Sequence, residues 1–200
     1  EYYDKLRDIK SIEGILYDAS GQVIKKAKGK DFQDVSAQTE SLVDDNRLKY
    51  HNFSYKVYPY TIEYKVEIFY KNTLFFPAWT PQGGEHISVE HSEANIVTPA
   101  DYKFRYKAFK YNGDPVVKAE KNKKIITWSA NQLQAISRPA YAPLWHELTS
   151  YVIFGPTEFQ IDDYKGNMSS WEDFGKFVYS LKKGKDVLPD NIKQAVKQIT

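Results

Sequence analysis

The sequence has no cysteine, which removes a disulfide framework, a thiolate metal site and a cysteine nucleophile together. It has almost no net charge: 28 basic side chains stand against 26 acidic ones, a formal +2. A dedicated nucleic-acid binder shows a concentrated basic excess, and none is present. No apolar run approaches the ~20 residues of a membrane span. No glycine-rich strand–turn–helix opens the chain, so a doubly wound nucleotide fold is not expected. The chain begins at Glu1 with no signal-like apolar segment. We expect it to be a piece of a longer protein whose export signal would lie upstream.

What is present points to strands. Apolar residues make up 42% of the 200, enough for a sizeable core, and 16 tyrosines favour sheet over helix. Two apolar runs flank Ser20-Gly21, a hairpin signal. Residues 28–47 read as a long connection anchored by Val35, Leu42 and Val43, with a short strand near 32–36. Residues 48–58 and 60–71 read as strands, with Pro59 at the corner between them. In the second, Tyr60, Ile62, Tyr64, Val66, Ile68 and Tyr70 alternate with polar residues, so one face meets a core. Residues 72–84 are a loop rich in proline and glycine. Strands are expected at 86–97 and 102–110, a hairpin at 116–129 with its tip at 120–123, and closing strands at 151–154 and 158–161.

The period then changes from 2 to 3.6. Ser169 and Glu172 have the spacing of a capping box. Trp171, Phe174, Val178 and Leu181 follow at helical spacing, and Gly184 ends the helix. Pro189 opens a second helix whose apolar stripe is Ile192, Ala195, Val196 and Ile199. The fold expected is mainly β: an immunoglobulin-like antiparallel β-sandwich with one or two C-terminal α-helices. Residues 1–165 would be the sandwich and 166–185 a helix packed on it. Residues 186–200 would start a further domain.

Chemistry-bearing motifs are sparse. His86 and His91, five apart on a strand, point to opposite faces and cannot share an ion. With no HExxH or HxH pattern, no metal site is expected, and no cofactor site. There is no G-x-S-x-G elbow; a serine working with His146 would have to be assembled from loops. Glu63 and Glu67 would stand about 13 Å apart on one strand face, too far for a retaining glycosidase pair. They read instead as solvated residues, paired across strands with Lys103, Arg105 and Lys107 if the two strands are neighbours. The lysine run at 118–124 has no interleaved aromatics and reads as a solubilising turn. Aromatics in the proline-rich loops and at the helix start are the remaining candidates. Phe76, Trp79, Tyr141, Trp145 and Trp171 would either dock a ligand or domain, or plug the end of the sandwich.

Residues 60–82, with their alternating tyrosines followed by Phe75-Phe76-Pro77-Ala78-Trp79, resemble the DUF3857 family. So do the strand 101–107, Trp128, the crossing through Pro139, Tyr141, Pro143 and Trp145, and the stretch from Ser169 to Gly175. The resemblance covers about residues 10–185. That family is a β-rich domain preceding a transglutaminase-like domain in exported bacterial proteins, many from Bacteroidetes. It implies a non-catalytic accessory module, periplasmic, secreted or at the cell surface. Its partner would be a downstream domain holding the Cys-His-Asp apparatus, and residues 188–200 look like that domain's first helix. No catalytic residue carries over to this chain. A carbohydrate-binding module, taking a glycan or peptide on its loop aromatics, is the alternative.

Overall fold

A computed structural model describes residues 1–37, 45–185 and 187–199. Leu42 and Val43 lie outside the described residues. The chain is mainly β, with antiparallel sheets of two or three strands and helices toward the C-terminus. It divides into two compact units, Glu1–Asn72 and Thr73–Thr200.

In the first unit, β1 is Tyr2–Tyr3, β2 Arg7–Tyr17, β3 Val23–Lys28, β4 Gln33–Ser36, β5 Arg47–Tyr50 and β6 Thr61–Tyr70. β2 is the centre of the sheet β3-β2-β6. The β2–β3 turn forms because the Asp18 carboxylate accepts from the Ser20 and Gln22 amides at 2.8 and 2.9 Å. Gly21 supplies the positive φ of 81° the turn requires. Ile12, Ala27 and Phe32 form the buried cluster, with Ile9 and Phe53 packed against it. Gly14 admits the Phe53 ring, for a Cβ there would stand 2.9 Å from it.

The second sheet runs β1-β5-β4. Asp34 ties it together, accepting from the Tyr3 hydroxyl at 2.7 Å and from Arg47 Nε at 2.9 Å. The expected strand over 48–58 stops at Tyr50. Beyond it, side chains replace the ladder: His51 Nδ1 meets the Asp31 carbonyl, and the Tyr64 hydroxyl donates to the His51 carbonyl.

Three carboxyls in this unit titrate below their ordinary range. The Tyr3 hydroxyl donating to Asp34, the Tyr17 hydroxyl to Glu63 and the Ser20 hydroxyl to Asp18 are the leading causes. A depressed folded pKa means the unfolded chain binds more protons. The stabilisation is therefore complete above the unfolded carboxylate range and is lost as pH falls through the folded values. Acid titration followed by carboxyl NMR should show all three resonances moving below the pH at which unpaired carboxylates such as those of short peptides move. Ordinary titration of all three would remove this account.

In the second unit, β7 is Val89–Pro99, β8 Phe104–Phe109, β9 Val116–Glu120, β10 Lys123–Leu133, β11 Tyr151–Pro156, β12 Glu158–Ile161 and β13 Tyr164–Asn167. The helices are α1 Trp145–Leu148, α2 Trp171–Lys182 and α3 Asp190–Ile199. The sheets are β7-β10-β9, β11-β8 and β12-β13. Trp79 extends the second of these, exchanging two 2.9 Å backbone hydrogen bonds with Val152. The inward side chains of the first two sheets share one core of Trp79, Ile126, Trp128 and Val152, with Ile96, Phe104 and Phe154 around it. The 116–129 hairpin forms as expected, its turn narrowed to Lys121-Asn122. β8 is hydrogen-bonded to β11, and β6 to β2. Glu63 takes the Tyr17 hydroxyl at 2.7 Å.

Candidate functional site

The second unit has an open groove of about 940 Å³ beside α2 and the β12–β13 hairpin. Its construction starts at Asp162, which turns the hairpin with a φ of 48°. Phe159 then stands directly opposite Gly166. The missing side chain lets Phe177 of α2 descend edge-on to Phe159, with ring centroids 4.8 Å apart. A Cβ on Gly166 would lie 2.3 Å from the Phe159 ring and 2.8 Å from Phe177. Thr73 secures the hairpin's outer edge: its amide donates to the Gln160 carbonyl at 2.9 Å, and its hydroxyl accepts from the Gln160 amide at 2.8 Å.

α2 is capped by Ser170, not by Ser169 as its spacing with Glu172 predicts. The Ser170 hydroxyl accepts from the Asp173 amide at 3.1 Å. Ser169 is engaged elsewhere, donating its amide to Asn167 Oδ1 at 2.6 Å, and Glu172 pairs with Lys176 at 2.8 Å.

Phe76, Phe159 and Phe177 give the groove its apolar lining; Tyr102, Glu158 and Lys165 are among its polar groups. Tyr102 donates its hydroxyl to the Glu158 carbonyl at 3.1 Å. Burial, then the nearby Glu158 carboxylate, raises its pKa, so the phenol stays protonated and a donor at neutral pH. Thr98 also lines the groove wall. Its hydroxyl is buried with no hydrogen-bond partner. Thr98→Val removes that orphan at nearly constant shape and should raise stability by about 1 kcal/mol. A denaturation midpoint that does not rise would show the hydroxyl to be satisfied.

The five aromatics singled out from sequence go to different places. Phe76 lines the groove and meets Phe104 edge-on at 5.3 Å. Trp79 is only 8% exposed. Its indole N–H donates to Ser92 Oγ at 3.0 Å, so it belongs to the core and presents no ring to a ligand. Trp145 is half-buried and donates to the Gln82 carbonyl at 2.9 Å. Tyr141 is fully exposed. Trp171 is 89% exposed and lines a separate hollow of about 400 Å³ with Arg105, Met168 and Phe174. Periodicity could have found Phe159 and Phe177; their meeting across Gly166 has no local signature.

The histidines form no shared centre: His51 meets a backbone carbonyl, His91 meets Asn131, and the His146 ring packs near Tyr151. Among the described residues no three His, Asp or Glu side chains gather as metal ligands. None of the helices described is long and apolar enough to cross a membrane.

A mainly β chain with an apolar groove beside the helix α2 is the class this geometry defines. Residues 1–137 match the family model "Domain of Unknown Function with solved-structure structure (DUF3857)", and the chain belongs to that family. The match includes Phe76 and Tyr102 and ends before Phe159 and Phe177. Among solved structures, the chain is similar to a proposed protease from Parabacteroides distasonis, with a TM-score of 0.65 at 15% identity. The similarity covers 78% of this chain and 32% of the other, so this chain spans about a third of that protein. At that identity the likeness shows the fold alone. A comparison with curated proteins finds no match.

Proposed function

We propose that this chain is a non-catalytic accessory module of a larger exported protein, positioning a transglutaminase-like, cysteine-peptidase-like domain. The observation that carries this reading is the solved protein that devotes about a third of its length to the same fold and is itself a proposed protease. The sequence supports the division of labour: with no cysteine, residues 1–200 supply no thiolate nucleophile. The groove is lined by phenylalanines and by charges of both signs. The test is the complete reading frame, expressed and labelled with iodoacetamide at neutral pH. The expected result is rapid modification of one cysteine outside residues 1–200, followed in sequence by His and Asp. A full-length protein with no reactive cysteine counts against the reading.

Carbohydrate binding is the second reading, and Tyr58 favours it. Its ring is 75% exposed and lies 5.1 Å from that of Tyr60, with Tyr55 6.0 Å further along the cluster. Glycan-array signal that disappears in Tyr58→Ala would support it; silence on the array would remove it.

A further inference from the structure

We propose that the hollow between Arg105 and the start of α2 captures the C-terminal residue of a peptide, with its carboxylate on Arg105 and its apolar side chain against Trp171. The inference holds whether or not a peptidase domain accompanies the chain.

Backbone geometry builds the hollow. Phe104 and Tyr106 turn to the core around Trp128, so Arg105 between them turns to the opposite face of the sheet β11-β8. Its neighbour across the strands is Gly155, and a Cβ there would meet nothing within 4 Å. The space opposite Arg105 is therefore open. Thr157 ties the approach to α2 back to β8. Its amide donates to the Lys103 carbonyl at 3.2 Å, and its carbonyl accepts from the Met168 amide at 2.8 Å. That tether brings Met168 and Trp171 to the hollow beside Arg105, and Phe174 lies one turn along α2 on the side of Trp171. The space is about 400 Å³, at the small end of ligand sites, which run from ~300 to ~1,000 Å³. It suits one large residue and not a long segment.

The lining chemistry narrows the class. Arg105 is the only charged residue lining the hollow, and it is in no ion pair among the described residues. It donates from Nη2 to the Pro156 carbonyl at 3.2 Å, which anchors the guanidinium and leaves the rest of its planar fork for a carboxylate. An anion is the complementary ligand. Met168, Trp171 and Phe174 give that anion an apolar body to match, which a bare phosphate or sulfate lacks. Trp171 is 89% exposed, with the Phe174 ring at 73° to it, so a ligand that covers the indole removes apolar surface from water. Met168 adapts to an aromatic or an aliphatic side chain. One further group selects a peptide over a plain apolar acid. The Ser170 hydroxyl is engaged twice with Asp173, but the Ser169 hydroxyl makes no hydrogen bond among the described residues. The last amide of a peptide offers it a partner. Carboxylate, apolar side chain and amide occur together at a peptide's C-terminal residue.

The test titrates the 200-residue chain with acetyl-Gly-Gly-Phe as the free acid, the same peptide as its C-terminal amide, acetyl-Gly-Gly-Ser as the free acid, and 3-phenylpropionate. Binding is followed by backbone amide shifts and tryptophan fluorescence. The Phe acid is expected to bind about five-fold tighter than its amide, the most that a part-exposed ion pair supplies. It should also bind tighter than the Ser acid and 3-phenylpropionate. Arg105→Gln should bring acid and amide to equal affinity. Trp171→Ala should weaken both and leave their ratio unchanged. Both side chains are exposed, so both variants keep their fold, as circular dichroism will show. Shift changes should centre on 105, 155–157 and 168–174. Equal binding of acid and amide by the unsubstituted chain, a preference that survives Arg105→Gln, 3-phenylpropionate binding as tightly as the peptide, or shifts centred on Phe159 and Phe177 would each overturn the proposal.

Discussion

Trp128→Ala should cost residues 73–200 about 3–5 kcal/mol, the range for removing a large buried aromatic from a packed core. Trp128 is 0% exposed, sits 4.9 Å from the Phe154 ring and 5.0 Å from Tyr106, and shares its cluster with Trp79, Ile126 and Val152. It is the residue through which β10 meets β11 and β8. One term works the other way. The indole N–H is buried without a partner, so truncation also discards an unsatisfied donor worth about 1–3 kcal/mol. Trp128→Phe, which keeps a ring and drops the N–H, should therefore cost far less than Trp128→Ala. Chemical denaturation of the three proteins checks the order. Equal losses for Ala and Phe would mean the N–H is satisfied and the core does not depend on ring volume.

Gly166→Val should cost about 3 kcal/mol, the upper end for overpacking a filled site. Backbone strain plays no part, since Gly166 lies within a regular strand; the cost is steric. Two ring atoms of Phe159 lie within 2.5 Å of where a Cβ would stand, and Phe177 within 2.8 Å. Relief requires α2 to lift from the hairpin. Hydrogen exchange should show protection lost in α2 and β13 while β7 and β10 stay protected. Gly166→Ala combined with Phe177→Leu should recover part of the loss, because the second change vacates the space the first one fills. Additive losses would contradict that contact.

The sequence made some of this architecture legible. Ser20-Gly21, the 116–129 hairpin and the helix over Trp171, Phe174 and Val178 are local signals: a glycine in a turn, two apolar runs on either side of a charged tip, a 3.6 period. Their structures depend on neighbours a few residues away. Pairing between strands is different. Alternation in 102–110 shows that Phe104 and Ala108 turn inward, but not that the neighbour is Val152 rather than Val66. The short strand β13 contains Gly166 and no β-branched residue, so propensity gives it no weight, and Phe159 opposite supplies the reason it forms. Two adjacent serines left the cap ambiguous by one residue until Asn167 claimed the Ser169 amide. Trp79 looked like a loop aromatic because Ser92, its hydrogen-bond partner, is thirteen residues away. The groove was the least legible feature. It draws on Phe76, Tyr102, Phe159, Lys165 and Phe177, five positions spread over a hundred residues with no motif among them.

The contrast between Trp171 and the other three tryptophans gives the protein an internal optical gauge. Trp79 and Trp128 are shielded and Trp145 is half-covered, while Trp171 stands in solvent at the first position of α2. A collisional quencher such as iodide meets Trp171 first, and the light it extinguishes comes mainly from that helix end. The remaining emission then reports the sheets with little contribution from α2. A partner settling over the start of α2 would be seen as protection from the quencher, without any label and with all 200 residues unaltered.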